Sequence, residues 1–294
     1  MEREVCDRHS NVGGFLKIAV TGANGFVGRH VLAVLKRRSI SCVAVDLVTS
    51  PEESSLADRW VQLDIHHPPQ EVFDLMGRPD ACIHLAWSGL PHYKSLHHFE
   101  SELPAQYKFL STLVHEGLSA FVVSGTCFEY GMQTGALSEN AVCQPANPYG
   151  FAKNALRRQL EFLRTNIPFA LTWARLFYVY GDGQSGNSLW SQLKQAVQHG
   201  DKVFPMSGGE QLRDFLPIET VAEHLVSLAI NKADAGVVNV CSGQPISVRK
   251  LVEGWIAENG WTIKPDLGRY PYSDCEPMEF WGNAKKLREI LNLP

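Results

Sequence analysis

The sequence has no run of about 18 apolar residues, no Cys-x-x-Cys pair, no block of like charges, no internal repeat and no low-complexity tract. Each absence removes a class of protein. Without a long apolar run there is no membrane-spanning helix to expect, so no membrane partner. The seven cysteines (6, 42, 82, 127, 143, 241 and 275) are odd in number and without ligand spacing, which leaves no readable disulfide framework or zinc site and suits a reducing compartment. With 27 basic and 31 acidic residues and a net charge of −4, the chain lacks the electrostatic footprint of a nucleic-acid binder. The opening MEREVCDRHSNVGG is polar and charged, with no signal-peptide core. These features predict a cytoplasmic protein whose residues 1–14 extend outside the fold.

What is present is enough apolar material for a large core: 45% of 294 residues, more than one compact domain usually needs. Short apolar runs at 16–20, 42–46, 81–86, 120–124 and 169–175 predict strands. Segments of helical spacing at 26–38, 102–117 and 149–165 fall between them. Continuous Val, Ile and Ala without polar alternation is what strands covered on both faces require. The expectation is an α/β fold, a doubly wound parallel Rossmann sheet over 15–176. After residue 176 the rhythm breaks. YGDGQSGN reads as a loop, 188–199, 217–230 and 247–258 as helices, and 237–241 as one more strand. Residues 177–294 are expected to form a smaller substrate-binding region, interleaved so that about 214–241 returns to the first domain.

Directly after the first strand comes TGANGFVG, with Gly22, Gly25 and Gly28 spaced three apart before a helical segment. Glycines there allow a sharp strand-to-helix turn, backbone approach to a pyrophosphate and close helix packing, while the helix N-terminus faces the phosphates. This predicts a dinucleotide site. Asp46 closes the second strand 24 residues after Gly22, near the roughly 20-residue offset at which an acid binds the adenosine ribose. A carboxylate there favours NAD over NADP, although Arg29 and Arg38 are cations that a 2′-phosphate could use, and Asp46 could equally be a solvated strand end. Asp64 suits the adenine edge or a plain loop carboxylate.

Further on, NPYGFAK places Tyr149 and Lys153 at i and i+4, on one helix face. A cation beside a phenol favours phenolate and lowers its pKa toward the working pH of acid/base chemistry. The same spacing also occurs in ordinary exposed helix pairs. Here the preceding strand ends in VSGTCFEYG, which offers Ser124 and Thr126 as hydroxyls beside Tyr149.

Six motifs in order carry a resemblance: TGANGFVG, HLAW (84–87), SGTCFEYG (124–131), YGFAK (149–153), RLFYVYG (175–181) and LRDFLPIETVA (212–222). From about residue 16 onward the chain resembles the extended short-chain dehydrogenases/reductases that act on nucleotide sugars. The resemblance implies Thr126, Tyr149 and Lys153 as catalytic residues. Tyr149 would be the acid/base, Lys153 the ligand of the nicotinamide ribose, and Thr126 a partner of the sugar C4 oxygen. It further implies Gly22, Asn24, Gly25, Phe26, Gly28, Asp46, Asp64, Leu85, Ala86 and Lys153 around NAD(H) or NADP(H). Ser124, Thr126, Tyr149, Tyr178 and Arg213 would face the substrate, with Arg213 on the nucleotide diphosphate; its plainer role is a surface ion pair with Asp214. A homodimer built from the helices at 102–117 and 149–165 is also implied. Two positions depart from the pattern: Tyr178 and Glu102 stand where many relatives have asparagine.

Relatives that act as 4,6-dehydratases carry an Asp-Glu pair after the catalytic threonine. This chain has Cys127 and Phe128, which cannot move those protons. Hydride transfer at a single carbon remains. The wording of SGTCFEYG, NPYGFAK and MSGGEQLRDF is most similar to bacterial reductases of dTDP- or CDP-linked 4-keto-6-deoxyhexoses, such as those making dTDP-fucose, CDP-abequose or CDP-paratose, and the chain is shorter than typical epimerases of the family. The expected substrate is therefore a dTDP- or CDP-4-keto-6-deoxyhexose. A 4-epimerase holding its NAD, or a non-enzymatic cofactor sensor on the same fold, are the alternatives. His84 reads as a structural strand-end histidine. His92, His97 and His98 read as a solvated loop without metal-ligand partners, Cys127 as a space-filler, and Trp255, Trp261 and Trp281 as pocket lining or packing.

Overall fold

The computed structural model describes residues 16–48, 54–232, 234–272 and 276–294. The N-terminal extension expected at 1–14, with Cys6, and also Cys275, lie outside the described residues. In chain order the elements of the first half are β1 (Lys17–Thr21), α1 (Phe26–Arg37), β2 (Ser41–Asp46), β3 (Arg59–Gln62), α2 (Val72–Leu75), β4 (Ala81–His84), α3 (Leu103–His115) and β5 (Ala120–Thr126). Then come β6 (Gly135–Leu137), α4 (Pro148–Asn166), β7 (Ala170–Leu176), β8 (Tyr178–Tyr180), α5 (Leu189–His199), β9 (Val203–Pro205), β10 (Leu212–Arg213) and β11 (Phe215–Pro217). The chain closes with α6 (Ile218–Ile230), β12 (Gly236–Val240), β13 (Ile246–Ser247), α7 (Val248–Glu258), β14 (Lys264–Asp266), β15 (Phe280–Gly282) and α8 (Lys285–Leu291).

Seven strands form one sheet in the order β12-β7-β5-β4-β1-β2-β3, every pair parallel. This is the doubly wound α/β arrangement predicted. The order reverses between β1 and β4, so a crevice opens beyond their carboxyl ends, where such sheets bind ligands. The runs KIAVT and SCVAVD are apolar without alternation because helices cover both faces of the sheet. One core holds Phe109, Leu110, Leu113, Leu156, Leu160 and Trp173 against the sheet. The other holds Val31, Leu35, Val221, Leu225 and Val226. Burial at Val31, Leu32, Val34 and Leu35 of α1, against exposed Lys36 and Arg37, is the one-sided helix the sequence predicted.

β12 adds to the sheet beside β7, and α6 packs on the same face as α1. A separate cluster of Leu193, Phe204, Met206, Val252, Trp255 and Ile263 holds α5, α7 and β9 together. Four two-stranded ladders stitch this part to the sheet edge: β8 with β11, β10 with β13, β9 with β14, and β6 with β15. None of these ladders was predicted, since two or three residues carry no readable period. Nor was β3, whose Arg59 and Gln62 stay exposed at the sheet edge.

Candidate active site

The glycine turn is tight for specific reasons. Gly22 has φ +68°, and a Cβ there would lie 2.8 Å from the backbone nitrogen of Ala86, at the end of β4. A Cβ on Gly28 would lie 2.1 Å from the carbonyl oxygen of Gly22, so the helix can sit this close to the turn only with glycine. Gly25 caps α1 without a side-chain cap, and no acidic residue occupies the first turn. The leading N–H groups of α1 are therefore offered to an anion. Asp46 accepts hydrogen bonds from the backbone N–H groups of Asn24 (2.9 Å) and Leu47 (2.8 Å). Each oxygen keeps acceptor capacity for a diol.

Asp64 follows Leu63, whose N–H donates to the Asp46 carbonyl (2.8 Å). Its carboxylate accepts from His67 Nδ1 (2.9 Å) and from the N–H of His66 (2.9 Å), which hold it below the usual range. Arg38 lies at the far end of α1, roughly 18 Å of helix from the glycine turn, paired with Glu223 and Ser227 on α6. Arg29 donates to the carbonyl of Gly183 (3.0 Å).

A cavity of about 490 Å³ opens beside the turn, lined by Gly22, Phe26, Leu85, Thr126, Tyr149 and Lys153 among others. Thr126 ends β5 and caps the short turn Cys127–Tyr130: its hydroxyl accepts from Phe128 N–H (3.3 Å), while Glu129 accepts the Thr126 N–H (2.9 Å). Glu129 is fully buried and also takes Trp173 Nε1 (2.8 Å) and Arg175 Nε (2.9 Å) from β7. Tyr149 sits in the first turn of α4, behind the Asn147 cap (2.8 Å to Gly150 N–H) and Pro148. A Cβ on Gly150 would stand 2.6 Å from the Phe128 carbonyl, so this glycine lets α4 approach the Thr126 turn.

Tyr149 is buried in an aromatic nest, with ring centroids to His98, Tyr93, Trp87 and Phe128 at 5.2, 5.6, 5.9 and 6.4 Å. Burial pushes its phenol well above the ordinary value, reinforced by Tyr93, Glu129 and Cys127; a hydrogen bond with Thr126 pulls the other way. The lowering expected from Lys153 is not what this arrangement produces. The Lys153 ammonium donates to the Ser124 carbonyl (2.9 Å) and lies 4.0 Å from the Trp87 ring centroid, but 6.0 Å from that of Tyr149. Burial brings Lys153 itself down to about 7, opposed by the carboxylates of Glu129 and Glu102.

Of the histidines expected in a solvated loop, His92 is exposed and His97 partly so, but His98 is not. His98 is fully buried, its Nδ1 accepting from Trp87 Nε1 (3.1 Å) and its Nε2 on the His92 carbonyl (3.1 Å), so the ring both steadies Trp87 and flanks Tyr149. His97 reaches Ser88 (2.8 Å) and Glu102 (3.2 Å). Burial pushes the Glu102 carboxyl up, but hydrogen bonds from Ser88 and Gln106 outweigh it and hold the group below the usual range. Gln106 links Glu102 to His84, which meets Thr21 Oγ1 (2.8 Å) and Gln106 Oε1 (2.5 Å). Burial drives His84 down to about 3, a neutral ring with a structural role, as read from the sequence. No group of three or more His, Cys, Asp or Glu among the described residues could hold a metal ion.

A second cavity, about 480 Å³, adjoins the first and shares Tyr93, Tyr178, Gln184 and Glu276 with it. Arg213 lines it, buried, with Glu276 as its ion-pair partner (3.0 Å) rather than Asp214. Asp214 instead accepts the N–H groups of Ser242 (2.7 Å) and Gly243 (2.9 Å), so the surface pair with Arg213 does not form. Tyr178 donates to Glu276 (2.7 Å). Cys127 lines the first cavity with its thiol pushed up by burial. Trp255 packs against Tyr180 and Trp190, and Trp261 against Trp190; neither these nor Trp281 lines either cavity.

Four contributors escaped the sequence reading. Trp87 stood in a quoted motif but was not weighed. Glu129 carried a signal, an acid within an otherwise buried strand-turn segment. His98 and Glu276 carried none, because their roles arise from contacts far apart in sequence.

The fold and this cluster define a class: a dinucleotide-binding α/β protein with a Thr, Tyr and Lys constellation at the mouth of the cofactor crevice. The NAD dependent epimerase/dehydratase family matches residues 18–241, and the chain belongs to that family as an NAD-dependent nucleotide-sugar enzyme. A relative named dTDP-6-deoxy-L-talose 4-dehydrogenase (NAD(+)), from Aggregatibacter actinomycetemcomitans, is 32% identical over 91% of this chain and 99% of its own. A UDP-glucose 4-epimerase from Corynebacterium glutamicum is 25% identical over 94% of this chain and 90% of its own. Among solved structures, MoeE5 in complex with UDP-glucuronic acid and NAD superposes with a TM-score of 0.78 at 26% identity, covering 94% and 92% of the two chains.

Proposed function

We propose that the protein moves a hydride at C4 of a nucleotide-linked hexose, working as a reductase of a dTDP- or CDP-4-keto-6-deoxyhexose. The observation that carries this reading is the meeting of Thr126, Tyr149 and Lys153 in the cavity that the glycine turn also lines. The residues around that turn fit NAD: bare α1 N–H groups for the pyrophosphate and the Asp46 carboxylate for the ribose. NAD supplies or takes the hydride when bound. NADP is expected to bind more weakly, since Asp46 repels a 2′-phosphate and Arg38 is engaged with α6.

Reduction of the ketone needs one hydride and one proton. Tyr149 gives its phenolic proton to the C4 oxygen and Thr126 shares a hydrogen bond with that oxygen, while Lys153, in the same cavity, would hold the nicotinamide ribose. Burial keeps Tyr149 protonated in the unliganded protein, the state from which reduction starts. Oxidation and epimerisation start instead from the phenolate. The absence of paired acids after Thr126, where Cys127 and Phe128 stand, speaks against dehydration. The dehydrogenase named above, by its name, works the same carbon in the opposite direction.

The second reading is a 4-epimerase with tightly held NAD, favoured by the Corynebacterium relative. It would use the same three side chains. We also propose a homodimer through α3 and α4, where Phe151 and Phe162 stand exposed on α4; light scattering on the purified protein tests that. Absorbance at 340 nm separates the two activities: protein and NADH or NADPH are mixed with dTDP-4-keto-6-deoxyglucose, then with its CDP counterpart. Continuing loss of absorbance, stoichiometric with substrate, is the reductase result. No loss with any pair, together with interconversion of UDP- or dTDP-hexose epimers without added coenzyme, moves the assignment to the epimerase.

A further inference from the structure

Glu276 is shared by the two cavities, against Tyr149 and Thr126 on one side and Arg213 on the other. Its contacts are lopsided. Tyr178 Oη (2.7 Å), Arg213 Nη2 (3.0 Å) and Arg213 Nε (3.3 Å) all donate to Oε2. Oε1 accepts from none of the described residues. Arg213 is held from behind as well, its Nη1 donating to the carbonyls of Leu212 (2.8 Å) and Met278 (3.2 Å), and its guanidinium lies 4.8 Å from the Phe280 ring centroid. The pair is therefore a fixed element of the wall, with one acceptor-only oxygen unused by the described residues.

The Glu276 side chain is 23% exposed, so water can reach Oε1 until a ligand displaces it; leaving the oxygen without a donor at that point carries the desolvation cost of an unpaired charged acceptor. A sugar seated with C4 at Tyr149 and its diphosphate toward Arg213 passes Glu276 on the way. We propose that Glu276 is a specificity-determining residue whose Oε1 accepts a hydrogen bond from a ring or side-arm hydroxyl of the hexose other than the one at C4. This rests on the nucleotide-sugar reading of the site. A site built to hydrogen-bond a hydroxyl rejects the analogue that lacks it more sharply than an apolar wall does.

The test is calorimetric, with NAD present, on the wild type, Glu276→Gln and Glu276→Ala. The probes are UDP- and dTDP-glucose, their 2-deoxy, 3-deoxy and 6-deoxy analogues, and UDP and dTDP alone. One deoxy analogue is expected to bind the wild type at least tenfold more weakly than the parent sugar. The same analogue should lose less than threefold relative to its parent sugar on E276A, with E276Q between; because Glu276 also holds Arg213, a change in the affinity of the free nucleotides is common to parent and analogue and cancels in that ratio. If every deoxy analogue loses the same factor on the wild type as on E276A, Glu276 reads no hydroxyl, and the proposal is overturned while the nucleotide-sugar reading stands. If neither the nucleotides nor the sugars bind any of the three proteins, that reading fails too, and this proposal with it. Should E276A not fold, the wild-type and E276Q comparison decides alone.

Discussion

Replacing Lys153 with methionine should change how stability depends on pH. The ammonium is 1% exposed, and burial lowers its pKa from 10.5 to about 7. A lysine whose pKa falls on folding destabilises the native state most where it is charged in both states, and the penalty fades as pH rises from the folded toward the unfolded value. The window is therefore pH 7 to 10.5. Within it the unfolded chain binds the extra proton, so wild-type stability gains up to about 1.4 kcal/mol per pH unit from this group. Integrated, the titration penalty is about 4 kcal/mol at pH 7 and about 2 kcal/mol at pH 9. Lys153→Met removes the titration; His84 and His98, whose rings feel the Lys153 charge, are both held below the usual histidine range and so are already neutral within the window. It also leaves the Ser124 carbonyl without its donor, a pH-independent loss of about 1–3 kcal/mol. The measurement is guanidinium unfolding of both proteins at pH 7, 8 and 9. Wild-type stability relative to the variant should climb by about 2 kcal/mol across that range. Parallel curves, differing by a constant, would refute the burial argument and mean that Lys153 keeps an ordinary pKa.

Tyr149→Phe keeps the ring in its nest and removes only the proton donor; turnover should fall 10²- to 10⁴-fold with NADH affinity unchanged by fluorescence titration, and a drop under tenfold would remove Tyr149 from the chemistry. Glu129→Ala strands the buried Arg175 guanidinium and frees Trp173 Nε1 and the Thr126 N–H, so guanidinium unfolding should report a loss of about 3–5 kcal/mol. Gly28→Ala must push the turn off the helix, and NADH fluorescence enhancement should weaken at least tenfold. Its control is Gly254→Ala within α7, where nothing lies within 4 Å of the new methyl, and helix propensity should add about 1 kcal/mol of stability.

The large sheet was legible because strands buried on both faces read as unbroken apolar runs, and the helix over α4 because Asn147 and Pro148 announce its start. TGANGFVG placed the cofactor crevice, and the four-residue spacing put Tyr149 and Lys153 on one face. The sequence misled where local chemistry was the only guide. Lys153 was expected to tune Tyr149, yet the structure turns its ammonium to Ser124 and Trp87, and burial dominates both groups. His98 looked like loop because nothing beside it in the chain says that Trp87 and Tyr149 will close over it. Arg213 neighbours Asp214 in sequence, but Asp214 lies between β10 and β11 and turns to the N–H groups of Ser242 and Gly243. The partner of Arg213, Glu276, comes instead from 63 residues away.

Thr126 closes β5, an interior strand of the main sheet, and is tied through Glu129 to β7, while Tyr178, Arg213 and Glu276 hang on two- and three-residue ladders and the segment near β15. The groups proposed to handle the proton thus sit at the end of the seven-stranded sheet, and those proposed to face the sugar on short ladders held by few backbone bonds. Substitutions can accumulate on the ladders without disturbing the sheet end. A chain built this way is free to change which sugar it accepts while its acid and its cofactor crevice stay in register.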